Sequence, residues 1–192
     1  MKQFLDKINK LYPLPETDLQ QLLAVTEAVE LAKGTVLFRE ATITSKVFFI
    51  EQGIARAFTC KNDKEVTFWF GMDGDIVLPM RSYVDNKPGY ETVDILEDSL
   101  LYQLNTADLQ HLYATNIQIA NWGRRLAEYE LLQTEERFIS LQFHSARERY
   151  IALIQKDPEL VQRIRLGHIA SYLGISQVTL SRIRAELASG SF

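Results

Sequence analysis

The stretch RLGHIASYLGISQVTLSRIRAEL, Arg165 to Leu187, decides the reading of this chain. Ile169, Ala170 and Leu173 fall on one face of a short helix. Four residues after Ala170 stands Gly174, where a tight inter-helix turn needs positive φ at little steric cost. Ala170 is small, so a second helix can cross closely, and Ile175 plugs the corner. Ser176 can cap the next helix by accepting from a free backbone N–H. Leu180, Ile183 and Leu187 then repeat at i, i+3, i+7 and face inward. Gln177, Val178, Ser181, Arg182 and Ala185 are left looking outward. This pattern predicts a helix-turn-helix whose second helix presents its N-terminal half to base edges in the DNA major groove. An ordinary helical hairpin would share the turn glycine; it has no reason to combine the small residue, corner, cap and inward triplet.

The totals are compatible with that reading. With 192 residues, 46% of them hydrophobic, the chain can hold one or two domains with a real core. No apolar run approaches the roughly 20 residues that span a bilayer, and Met1 to Tyr12 is a charged amphipathic start without a signal-peptide core. A single cysteine, Cys60, excludes a disulfide framework and a cysteine-only iron–sulfur site within one chain. A cytoplasmic protein is expected. His111, His144 and His168 are scattered without metal-ligand spacing, so no metal site is expected. The net charge of −4 argues against DNA until its distribution is considered. Residues 1–115 carry 11 Lys+Arg against 17 Asp+Glu. Residues 137–192 carry Arg137, Arg147, Arg149, Lys156, Arg163, Arg165, Arg182 and Arg184 against Glu148, Asp157, Glu159 and Glu186. A basic DNA module beside an acidic domain fits this asymmetry.

Working back from the motif, residues 145–156 (SARERYIALIQK) form an amphipathic helix with Tyr150, Leu153 and Ile154 inward, ended before Pro158. From Asn116 to about Leu141 runs a long helical pattern. Trp122, Leu126, Tyr129, Leu132, Ile139 and Phe143 recur at intervals of three, four or seven. This predicts a coiled-coil-like dimer seam, with packing onto the chain's own domain as the alternative. Glu135 and Glu136 weaken the heptad there. Asn105-Thr106 is expected to cap a short helix through Tyr113. Between Lys33 and Asn105 the rhythm is that of strands: KGTVLF (33–38), KVFFIEQG (46–53), IARAFTC (54–60), KEVTFWF (64–70), YETVDIL (90–96) and SLLYQL (99–104), with a turn at Lys61-Asn62-Asp63. Strands at this spacing predict a β-sandwich or jelly roll. Residues 2–31 read as mainly helical, with Phe4, Leu5, Ile8 and Leu11 on one face and a second short helix starting at Thr17 or Asp18.

The order β-roll, long helix, helix-turn-helix, together with ARERYIALI and IASYLGISQVTLSRIR, resembles the Crp/Fnr family of bacterial regulators, and IASYLGI with TLSRIR resembles the branch common in Bacteroidetes. The resemblance implies an α+β chain: a double-stranded β-helix (jelly roll) sensor over 1–115, a dimerisation helix over 116–141 and a DNA-binding domain over 142–192. It implies a homodimer that binds a palindrome in double-stranded DNA, with RNA polymerase a further candidate partner and no membrane. On the family's pattern the base-contacting side chains are Gln177, Val178 and Arg182, and the phosphate contacts Ser176 and Thr179. Arg182 can meet guanine O6 and N7 with two hydrogen bonds, while Gln177 can pair with adenine or bond a phosphate. Val178 stands where the family often has an acid, so it would touch a thymine methyl instead. Ser181 shares the outward face, and Arg184 is assigned to phosphate.

The effector pocket departs from the family. Cyclic-nucleotide-binding members use a Gly-Glu pair for the ribose and a later Arg-Ser pair for the cyclic phosphate, an anion that needs a guanidinium fork and backbone N–H groups. Here Leu78-Pro79 and Gly89-Tyr90 stand at those places; Pro79 has no N–H, and Arg81 is the nearby arginine. The chain is therefore expected not to bind cyclic AMP in the usual way. No cofactor is implied; an unidentified small-molecule effector is the remaining candidate. Two other classes compete. A cupin-like enzyme would need converging histidines, and residues 33–104 contain none. Nor is there a nucleophile elbow or a phosphate-cradling glycine loop, so no catalytic residue is assigned and no enzyme is expected. A pure interaction protein with a vestigial DNA module is opposed by Ser176, Gln177 and Arg182.

Overall fold

The structure is a computed structural model that describes residues 1–62 and 64–189. Asp63 of the turn expected at Lys61-Asn62-Asp63, and the residues after Ser189, thus fall outside the described residues. The chain divides into two compact units: Met1–Ala57 with Phe70–Leu132, and Phe58–Trp69 with Gln133–Phe192.

The first unit opens with α1 (Lys2–Leu11) and α2 (Glu16–Ala24). Phe4 and Ile8, one turn apart, are the buried face of α1. The helical expectation for residues 2–31 fails at its end, where Glu27–Leu31 is a strand, β1, paired antiparallel with Ser99–Asn105 (β8). The composition of EAVEL is compatible with a helix; its partner, some seventy residues away, is what makes it a strand.

The remaining strands are β2 (Val36–Phe38), β3 (Lys46–Gln52), β4 (Ala55–Lys61), β5 (Lys64–Gly71), β6 (Ile76–Val77) and β7 (Thr92–Ile95). They form two four-stranded sheets, ordered β1-β8-β3-β6 and β2-β7-β4-β5. That is the double-layered β fold expected, with helices added, an α+β chain. In β3 the run Val47, Phe48, Phe49, Ile50 is wholly buried rather than alternating. Both faces of that strand are covered. Phe48 meets Phe38 of the other sheet with ring centroids 5.7 Å apart. Phe49 on the opposite face meets Phe4 of α1 at 4.1 Å and Trp122 at 6.0 Å. One charge is also buried here: Arg56, 3% exposed, sends Nε and Nη2 to the two carboxylate oxygens of Asp94 at 3.0 and 2.8 Å. This fork-to-fork pairing offsets the cost of desolvating the guanidinium.

A short α3 (Met80–Asp85) precedes β7, and α4 (Thr106–Thr115) follows β8. Asn105 occupies the N-cap of α4, yet its side chain does not cap; its amide reaches the Asp108 carboxylate instead. The long helix α5 spans Ile117–Phe143, a little beyond the expected end. Trp122 (1% exposed) and Leu126 (6%) lie in the core of their own unit with Phe4, Ile8 and Phe49, so the packing alternative holds for that part of the helix. Tyr129 is half-buried under the Lys7 ammonium, 4.4 Å from its ring centre. Leu132 and Ile139 are exposed, together with Leu131, Phe138, Leu141 and Phe143.

The second unit holds α6 (Ala146–Lys156), α7 (Leu160–Arg163), α8 (Leu166–Tyr172) and α9 (Gln177–Ala188). A capping box starts α6: the Ser145 hydroxyl accepts from Glu148 N–H and the Glu148 carboxylate accepts from Ser145 N–H. Tyr150, Leu153, Leu160, Ile164, Ile169, Ala170, Leu173, Leu180 and Ile183 are buried apolar residues of its helical part.

Candidate DNA-binding face and effector loop

The turn between α8 and α9 forms for the local reasons the sequence supplies. Gly174 takes φ +69°, which closes α8 in a Schellman arrangement. Ile175 N–H donates to Ala170 C=O at 3.0 Å, and Gly174 N–H to Ser171 C=O at 3.1 Å. Ser176 then caps α9, its hydroxyl accepting from Thr179 N–H at 3.1 Å, a bond of about 1 kcal/mol. Leu180 and Ile183 point into the core, while Leu187 is only half-buried. Ser176, Gln177, Val178, Thr179, Ser181, Arg182, Arg184 and Ala185 are all exposed on α9 and its cap. The Ser176 and Thr179 hydroxyls lie 2.9 Å apart, so the two expected phosphate contacts form one polar pair at the start of the helix.

Two arginines that contributed to the positive balance of this region have other employment. Arg137 Nη2 donates to Tyr172 C=O at 2.8 Å and its guanidinium stacks on the Tyr172 ring at 3.6 Å. Arg149 Nη2 donates to Leu173 C=O at 2.8 Å and its Nη1 to His144 C=O at 2.6 Å. Both guanidiniums sit on the last carbonyls of α8, where a helix end carries partial negative charge. Burial pulls Arg137 below its ordinary pKa. A third tether comes from the hairpin segment of this unit: Ser171 Oγ donates to Glu65 C=O at 2.8 Å and accepts from Thr67 N–H at 2.9 Å. Sequence reasoning assigned Ser171, Arg137 and Arg149 no such role, and nothing in their spacing could have done so.

In the first unit the residues expected at the effector site stand around α3 and the loop before β7. Leu78 is half-buried, Pro79 is buried and N-caps α3, and Arg81 is exposed on that helix. The loop donors are already engaged. Gly89 N–H goes to Thr42 C=O at 2.9 Å, and Tyr90 N–H goes to the carboxylate of Glu91 at 3.1 Å. Glu91 is 6% exposed. Burial raises its pKa, and repulsion from Glu40 adds to this, against the backbone N–H bonds it accepts. Tyr90 is exposed, and its phenol is pushed up by partial burial and by Glu91, with Arg81 opposing. A buried carboxylate thus stands beside Gly89 and Tyr90, and sequence reasoning passed over it. An open depression of about 340 Å³ occurs between α1 and α5, lined by Lys10, Leu11, Arg125, Glu128, Tyr129 and Leu132. Among the described residues no group of three or more histidine, cysteine or carboxylate side chains is placed to hold a metal ion. No described helix is long and apolar enough to cross a membrane.

A β-roll, a long helix and a helix-turn-helix, in that order, define the architecture of the Crp/Fnr regulators. Residues 28–116 match the cyclic nucleotide-binding domain family. No curated protein sequence matches the chain. Among solved structures, FixK2 from Bradyrhizobium japonicum is 17% identical, over 86% of this chain and 86% of its own, with a TM-score of 0.77. The c-di-GMP-responsive global regulator CLP from Xanthomonas campestris is 18% identical, over 92% and 93%, with a TM-score of 0.70. A regulator of the Crp/Fnr family from Eubacterium rectale is 15% identical, over 94% and 89%, with a TM-score of 0.73. The chain has the fold of these regulators, and the family match covers its β-roll, residues 28–116.

Proposed function

We propose that this chain is a DNA-binding transcription regulator of the Crp/Fnr type that binds a palindromic operator as a homodimer. The observation that carries this reading is α9: a capped helix, fixed by the Gly174 turn, that exposes Gln177, Val178, Ser181 and Arg182 together. A recognition helix needs that N-terminal face free to enter the major groove. Arg182 supplies a guanidinium fork for guanine, and Val178, 61% exposed, an apolar contact for a thymine methyl. Ser176, Thr179 and Arg184 meet the backbone and set register without reading sequence.

Dimerisation is supported by the C-terminal half of α5. Leu131, Leu132, Phe138, Ile139 and Phe143 are each more than half exposed, and large apolar side chains clustered on one helix call for a partner. A twofold partner would double the bases read and set the half-sites one helical turn apart, about 34 Å. Trp122, Leu126 and Tyr129 support that seam from behind, as packing for the helix within its own domain. The three regions 1–115, 116–141 and 142–192 then serve as sensor, dimer helix and DNA-binding module. Location in the cytoplasm follows from this function, and contact with RNA polymerase is its natural extension.

The β-roll does not hold cyclic AMP in the usual way. Pro79 offers no N–H, Gly89 and Tyr90 N–H groups are engaged, and Glu91 opposes an anion. A small-molecule effector of other chemistry remains compatible with the domain. Titration calorimetry with millimolar cyclic AMP or cyclic GMP is expected to give no heat; a saturable micromolar signal would overturn this part. Fluorescence anisotropy with duplex DNA tests the main reading, with tight, salt-dependent binding expected. Failure to bind any duplex would remove it.

A further inference from the structure

Gln177 is exposed at the first position of α9, yet its side chain does not project freely. It folds back onto α8, where residue 167 is glycine. A Cβ at that position would stand 2.6 Å from Gln177 Nε2 and 3.4 Å from its Cδ. The amide therefore occupies space that an alanine side chain would fill. Glycine is the poorest ordinary helix former, and Gly167, the second residue of α8, lacks the positive φ that would call for it. Room for the Gln177 amide is the one local use of this glycine that the geometry supplies.

The direction of that amide matters for recognition. In a helix-turn-helix the first helix crosses the sugar–phosphate backbone, and the outward N-terminal residues of the second meet base edges. An amide laid against the first turn of α8 points to the backbone side. We propose that Gly167 is a positioning residue: it parks the Gln177 amide on α8, commits Gln177 to a DNA phosphate oxygen and leaves base reading to Val178, Ser181 and Arg182. This rests on the DNA-binding reading and narrows it, since Gln177 would otherwise also be free to pair with adenine. The displaced atom is the tip of a flexible, exposed side chain, so Gly167→Ala moves the amide and leaves the fold intact.

The test is selection from a random duplex library by the full-length protein and by Gly167→Ala, Gln177→Ala and the double variant, with melting temperatures alongside. Gln177→Ala is expected to weaken the selected site and an unrelated duplex by the same factor and to leave base preferences unchanged. Gly167→Ala is expected to melt no lower than the wild type. It should gain a preference of about fivefold or more at one position of each half-site, and that gain should vanish in the double variant. Two outcomes overturn the proposal: Gln177→Ala alone relaxing a base position, or Gly167→Ala selecting the wild-type site unchanged. If Gly167→Ala melts lower, Gln177→Ala still decides between phosphate and base. A wild type that enriches nothing and binds no duplex instead removes the DNA-binding reading itself.

Discussion

Arg182 and Arg184 lie two positions apart on α9, both exposed, and the account gives them different work. Arg182→Ala should cost about 1–3 kcal/mol on the preferred site and relax one base position. Arg184→Ala should weaken all sequences alike and lower the slope of affinity against salt by about one ion. Binding titrations over a salt series separate the two, and identical behaviour would refute the assignment. Glu91 carries a prediction about pH. Its folded pKa is raised by burial, so its contribution to stability is fully present below its ordinary value and is lost as pH rises through the raised one. Glu91→Gln keeps the size and accepting oxygen without the charge. The variant should match wild type in thermal unfolding near pH ~4 and exceed it near pH ~7; a difference constant across pH would show that the carboxylate's charge is not what burial opposes. These residues differ in legibility. The outward position of Arg182 was readable because it follows from an offset along one helix. Glu91 was passed over because its burial depends on strands and loops that its neighbours in sequence do not announce. For Arg137 and Arg149 the sequence gives only charge, whereas the structure puts both on carbonyls of α8.

At the scale of elements, what was legible is what is closed locally. The Gly174 turn, the Ser176 cap and the Ser145–Glu148 box each complete within a few residues, and spacing alone located the first two. The strand β1 was not legible, because its identity comes from pairing with β8 across the sheet. The apolar period of α5 gave a face but not its occupant: Trp122 and Leu126 are covered by α1 and β3, whereas Leu132 and Ile139 are uncovered. The same helix contains Gly123, and a Cβ there would stand 2.5 Å from Cζ of Tyr113 on α4. Gly123→Ala should therefore destabilise the protein. Overpacking costs about 1–3 kcal/mol, more than the gain in helix propensity of at most about 1 kcal/mol. Chemical denaturation measures the sign, and a more stable variant would contradict this packing. Within the second unit, Ser171→Ala removes both bonds to the Glu65–Thr67 segment, a loss of about 1–2 kcal/mol. Faster hydrogen exchange at the Thr67 amide is the expected readout, and unchanged exchange would show that the tether carries no load.

At the scale of the whole molecule, the proposed dimer presents two copies of α9 to one palindrome. Leu132 and Ile139 are seven residues apart on α5, so they share a seam-facing side in a paired helix. Replacing both with glutamate should convert a dimer into a monomer in sedimentation velocity and weaken operator binding at the same time. A variant that stays dimeric would move the interface elsewhere. The charge asymmetry between the N-terminal region and the C-terminal one was visible in the sequence and fits this division of labour, although part of the C-terminal excess serves the fold. The central claim is sequence-specific recognition through α9, and selection of bound duplexes from a random library by the full-length protein, with Arg182→Ala in parallel, tests it most directly. The expected result is an enriched inverted repeat with half-sites about one helical turn apart, lost or relaxed at one position of each half-site in the variant. Enrichment of no sequence by the wild type, or the same repeat selected equally well by Arg182→Ala, would contradict it.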